Sequence, residues 1–119
     1  MTLVAWFELL VGTGILGFWA VALATARVPE IGHGDRAIWF HILAELVIGV
    51  ALVAGGVALL AVSGESWTRV LAAAAAGGMV YSAINSPGYY AREGSWGIVA
   101  AFAVLSLMGI AVIAALVIV

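Results

Sequence analysis

Apolar residues run along the chain in four long blocks, at 3–26, 37–63, 67–86 and 96–119, separated by three short polar segments. A helix needs about 20 mostly apolar residues to cross the hydrocarbon core of a bilayer, and each block reaches that length. The pattern predicts an all-α, polytopic membrane protein: four transmembrane helices in an antiparallel bundle, forming a single domain over 1–119. The breaks carry turn chemistry. The first, Arg27 to Arg36, holds Pro29 and two glycines, with Asp35 placed to cap the next helix. The second, Ser63-Gly64-Glu65-Ser66, reads as a tight hairpin. The third stops a helix before Pro87 and restarts one at Ser95. Trp6, Trp39, Trp67 and Trp96 each stand near the start of a block, as an interfacial belt requires, whereas Trp19 lies deeper.

Composition closes the soluble alternative. Of the 119 residues 66% are hydrophobic and 8% charged, against about 25% charged in a typical soluble domain. Eight of the ten charged residues stand in the breaks or at block edges, leaving only Glu8 and Glu45 inside. A net charge of −2 provides no basic field for nucleic acid. There is no cysteine, so disulfides and thiolate metal sites are excluded. Ala24-Thr25-Ala26 has the small residues of a signal-peptide cleavage site, but no basic residue precedes the apolar run and the run is long. The first block is therefore expected to remain as a span. Arg27, Arg36 and Arg92 share one side against Arg69 on the other, which puts loops one and three in the cytoplasm and both termini outside.

Helices in lipid associate through small residues and occasional polar contacts. Such stripes are expected at Glu8 and Gly12, at His41-Glu45-Gly49-Leu52-Gly56, at Ala74-Gly78-Tyr81-Asn85 and at Phe102-Ser106-Gly109-Ile113. A four-span unit this small is expected to form a homo-oligomer. Glu8-Leu-Leu-Val-Gly12 and Glu45-Leu-Val-Ile-Gly49 share one pattern in consecutive helices, a possible inverted repeat or a chance echo in a low-complexity composition.

An ionisable group inside a span costs about 2.5–3.5 kcal/mol on insertion scales, so Glu8, His41 and Glu45 are the residues to which chemistry is assigned. At about 1.5 Å of rise per residue, Glu8 stands about 8 Å in from the terminal side and Glu45 about 12 Å in from the side of loops one and three. His41, one turn from Glu45, shares its face. One reading is a proton-handling pair, imidazole being the side chain that changes charge near neutral pH. The other is a polar pair that fixes packing through Asn85 or Tyr81. Asn85 and Tyr81 join the candidate site, with Tyr89 and Tyr90 just past Pro87. A metal is not expected: the order His-x-x-x-Glu occurs once, whereas a di-iron bundle needs Glu-x-x-His twice and two further Glu. Haem has no second intramembrane His, so no cofactor is expected.

Two resemblances bear on function. The size, the four expected spans and a lone first-span Glu8 resemble the small multidrug resistance transporters, which implies a carboxylate that trades protons for cationic drugs. Their sequence pattern is not reproduced around Glu8, and His41 and Glu45 are foreign to it. Phe40-His41-Ile42-Leu43-Ala44-Glu45 is similar to the aromatic-His-x-x-x-Glu start of the second helix in the emopamil-binding and sigma-2 receptor families. That resemblance implies sterol isomerisation or binding of amine ligands. It covers six of 119 positions, and no second acid appears in the third block.

Three functions are consistent with these residues. The leading one is a transporter or channel-like protein that binds a proton or small cation at Glu45, His41 and Glu8. A lipid- or amine-binding or isomerase-type membrane protein is the second. A non-catalytic subunit of a larger membrane complex is the third. Enzymatic activity is not the leading expectation, because no phosphate loop, nucleophile elbow or zinc spacing occurs.

Overall fold

A computed structural model describes residues 1–118, and for Tyr89 the backbone only. The expected end of the fourth block at Val119 and the side chain of Tyr89 lie outside the described residues. All regular structure among them is helical: α1 (Thr2–Ala24), α2 (Pro29–Gly32), α3 (Ala37–Ala61), α4 (Ser66–Asn85), α5 (Pro87–Arg92) and α6 (Trp96–Ile118). The four long helices match the four apolar blocks to within two residues at each boundary. The two short ones fall in breaks expected to be irregular. Pro29 and Pro87 each open one, since a first-turn proline supplies a helical φ where no N–H is needed.

Local signals set the ends. Asp35 Oδ1 accepts the Ala37 N–H at 2.9 Å, holding the start of α3. At the end of α1 the Arg27 N–H bonds the Ala22 carbonyl at 2.9 Å and the Ala26 N–H bonds that of Leu23 at 3.3 Å. This is a Schellman ending, with Ala26 at φ 53° in the place that glycine normally takes. At the opposite end of the molecule Arg69 donates from Nε (3.0 Å) and Nη2 (2.7 Å) to the Leu116 carbonyl, closing the last turn of α6.

Three helices, α1, α3 and α6, are long and apolar enough to cross a membrane. α4 is not, because its apolar residues are mostly alanine and glycine, which carry little hydropathy each. Large apolar side chains point outward along the long helices, among them Leu3, Leu10, Phe40, Val47, Val70, Leu107 and Ile118. Trp6, Trp39, Trp67 and Trp96 are all exposed near helix starts, whereas Trp19 is buried. Such a surface suits lipid and not water.

Packing runs in the order α1–α3–α4–α6. A Cβ on Gly56 would meet the Ala5 carbonyl and Leu9, one on Gly12 would meet the Gly49 carbonyl, and Trp19 reaches His41. Contacts therefore descend α3 as they climb α1. α3 meets α4 at Gly55–Ala72 and Ile48–Gly78, and α4 meets α6 where Met79 and Val80 fill the space beside Gly109. The stripes expected on α1, α3 and α6 face these contacts. On α4 a different face turns inward: Thr68, Ala72, Ala75, Ala76, Met79 and Ala83 are buried, while Ala74, Tyr81 and Asn85 are exposed. With alanine on every side of this helix, spacing alone could not choose the stripe. Backbone approach at Gly55 and Gly109 chose it.

Candidate functional site

Glu45 stands on α3 two turns in from loop one, on the side that faces both α1 and α4. Its Oε1 accepts a short hydrogen bond from the Ser82 hydroxyl and a longer one, 3.4 Å, from Ser86. Its Oε2 accepts the indole N–H of Trp19 at 3.4 Å. His41 Nε2 is 4.0 Å from Oε1, one turn along the same helix, and its ring meets Trp19 edge-on at 5.9 Å. Four side chains from three helices thus converge on one carboxylate. The arrangement follows from spacing: Ser82 on α4 and Ser86 at its C-cap are one turn apart, as His41 and Glu45 are on α3.

The carboxylate opens onto a cavity of about 830 Å³ between α1 and α6. Ile15, Phe18, Trp19, Phe102 and Leu105 form apolar walls, and Tyr90 stacks on Phe102 with ring centroids 6.1 Å apart. His41, Glu45, Asn85 and Ser86 supply polar groups inside, and Arg27 and Glu30 line the loop-one end. The volume is that of a small-molecule site, apolar with a few convergent polar groups. Its inner limit, at Val11 and Leu105, is the middle of α1 and of α6.

Of the residues expected to carry function, the structure brings together His41, Glu45 and Asn85. Tyr81 points outward, 72% exposed, and does not line the cavity. Glu8 sits apart in the other half of the molecule. It is wholly buried, neither carboxyl oxygen has a hydrogen-bond partner among the described residues, and it packs into the α1–α3–α4 junction where Gly55 and Ala72 meet. Trp19, Ser82 and Ser86 were not anticipated as ligands of Glu45. A signal existed for each: the one tryptophan off the interfacial belt, and the one pair of serines at i, i+4, at the end of the alanine-rich α4.

Fold and cavity together define a class, a small helical protein with membrane-length helices and a polar site in a cavity between them. A family model described as a domain of unknown function (DUF8058) matches residues 1–119, and the chain belongs to that family. Among curated proteins and among solved structures, nothing matches it.

Proposed function

We propose that this chain is a four-span membrane protein that moves a small aromatic or amphipathic cation in exchange for protons, with Glu45 as the binding carboxylate. The observation that carries the reading is Glu45 itself, an intramembrane acid held by Ser82, Ser86 and Trp19 at the wall of a drug-sized cavity. A carboxylate attracts a cation, and aromatic walls at Phe18, Trp19, Tyr90 and Phe102 add cation–π attraction where water is sparse. His41 Nε2, 4.0 Å from the carboxylate, is the second ionisable side chain at the site. Asn85 and Ser86 offer further hydrogen bonds to the bound molecule. The site is complete within one chain, so the reading does not require a second copy.

Several features support α4 as the fourth span of an antiparallel bundle. Its 20 residues reach about 30 Å. It packs against α3 on one side and α6 on the other, both membrane-length, and the hairpin that joins it to α3 is four residues long. A helix so held crosses with its neighbours. The arginine count still favours loops one and three on the cytoplasmic side, where the cavity has its loop end.

A simple binding protein for an amine or a lipid is the second reading, favoured by the lateral position of the cavity between α1 and α6. Transport separates the two. Purified protein in liposomes should take up the fluorescent aromatic cation ethidium when a pH step is imposed, and Glu45→Gln should abolish uptake. No uptake by the unaltered protein, or full uptake by Glu45→Gln, would overturn the transport reading. Ethidium bound but never moved would establish the second.

A further inference from the structure

The two acids inside the membrane stand in opposite situations, yet the packing relates them. An offset of 37 residues separates Glu8 from Glu45, Gly12 from Gly49 and Leu16 from Val53. The contacts between α1 and α3 obey the same offset. A Cβ on Gly12 would lie 2.8 Å from the Gly49 carbonyl oxygen and 2.9 Å from Val53 Cγ2. A Cβ on Gly49 would lie 3.3 Å from the Gly12 carbonyl oxygen and 3.0 Å from Leu16. Gly12 meets its own equivalent Gly49, and as Gly12 meets Val53, four residues beyond Gly49, so Gly49 meets Leu16, four residues beyond Gly12. That reciprocity is what a two-fold axis between two antiparallel helices produces. The axis passes through the Gly12–Gly49 contact, at the middle of both helices, and so lies in the plane of the membrane. One turn, about 6 Å, to either side of it stand Glu45 and Glu8.

The two-fold contact thus coincides with the Glu-Leu-aliphatic-aliphatic-Gly echo, an arrangement of the kind that inverted repeats use to present one site alternately to two faces. We propose that Glu8 is the second cation-binding carboxyl of this protein, the occluded counterpart of Glu45, exposed when the α3–α4 contact at Gly55 and Ala72 parts. This deepens the transport reading and rests on it. A second, independent observation points to a ligand at Glu8. The side chain is wholly buried with both oxygens unpartnered, a state that costs free energy and is not explained by packing, since an apolar residue would fill the same space without that cost. A conformer that opened this half would give those oxygens water or a cation. No ion-pair partner from α3, α4 or α6 stands within 4.0 Å of Glu8 among the described residues; the one ion pair is His41–Glu45. Next to Glu8 the contact that must part is made by small residues, Gly55 and Ala72, while Leu59, Leu52 and Met79 pack on either side of it. Symmetry also names the walls of the alternate cavity. The equivalents of Val11, Ile15 and Phe18 are Ile48, Leu52 and Gly55, all near Glu8 or directly inward of it along α3.

Two measurements test this. Glu8→Gln should bind ethidium in detergent as the unaltered protein does, because the Glu45 cavity is untouched, yet lose pH-driven uptake in liposomes by about tenfold or more. Uptake by Glu8→Gln at the unaltered rate, while Glu45→Gln is inactive, would overturn this inference and leave the transport reading standing. Loss of effect at Glu45→Gln would strike the transport reading instead. The second measurement does not depend on uptake. The chain lacks cysteine, so Ala72→Cys and Phe102→Cys each carry one thiol. A membrane-impermeant thiol reagent should modify Phe102→Cys from the face of loops one and three, and Ala72→Cys from the opposite face. Ala72→Cys inert at acid and alkaline pH, under conditions where Phe102→Cys reacts, would overturn the proposal.

Discussion

The half of the molecule around Glu45 and the half around Glu8 are built from the same helices and solve the same problem differently. Around Glu45 the helices stand apart, a cavity of about 830 Å³ enters, and the carboxylate is surrounded by donors. Around Glu8 glycine and alanine bring the backbones together, the 830 Å³ cavity does not extend to the carboxyl, and among the described residues it has no donor. The difference shows what an acid within a membrane-length helix needs. Where partners are present, the group is part of the packing. Where they are absent, it is held in place by neighbours that leave it no other position, and its cost is retained for use elsewhere.

Substituting the two acids by methionine should break or sharpen that contrast most strongly. An unbranched apolar side chain at Glu8 should raise stability by about 1–3 kcal/mol, since it removes an unpartnered polar group without opening space. The same change at Glu45 should lower it, because Ser82, Ser86 and Trp19 lose their acceptor. Thermal unfolding in detergent measures both, and shifts of the same sign would show that the two environments are not distinct.

Glycines divide along the same line. Gly56→Ala places a Cβ 2.7 Å from the Ala5 carbonyl oxygen and should destabilise by about 1–3 kcal/mol despite the better helix propensity of alanine. Gly14 lines the cavity and has nothing within 4 Å of the added carbon, so Gly14→Ala should gain up to about 1 kcal/mol. The same unfolding experiment reads this pair, and a loss at Gly14 would mean that the cavity half is tighter than it is drawn here.

Smaller effects follow. Trp19→Phe keeps an aromatic wall but removes the N–H that bonds Glu45; a single hydrogen bond is worth about 0.5–1.5 kcal/mol, so ethidium affinity should change by roughly threefold to tenfold. Titration of ethidium fluorescence checks it, and an unchanged affinity would remove Trp19 from the site. Least of all, Ala26→Gly relieves a left-handed backbone and should stabilise by about 1 kcal/mol with no change in uptake. A drop in uptake would tie the loop-one end of the cavity to function more closely than its lining residues do.

Much of this was legible before any coordinates. The four helices and their ends followed from block length, prolines and caps, and the pairing of His41 with Glu45 followed from helical spacing. Inward faces were legible on α1, α3 and α6, where bulky residues on the far side marked the contrast. They were not legible on α4, whose alanines look alike from every direction, and Tyr81 was consequently assigned to the wrong side of that helix. The ligands of Glu45 escaped notice for a related reason: Trp19 stands on α1 and Ser82 and Ser86 on α4 and its C-cap, and they meet only when those helices are packed.

The sequence by itself determined that the chain suits a bilayer, that its charges mark the ends of helices, and that two acids and a histidine are left within. Those conclusions depend on local hydropathy and period, which neighbouring residues carry with them. Only the tertiary structure decided that one acid faces a cavity and the other is sealed, and that the echo between α1 and α3 is a two-fold contact through Gly12 and Gly49. Both depend on how closely one backbone approaches another. That distance is set by pairs of small residues far apart in the chain, and no single helix contains it.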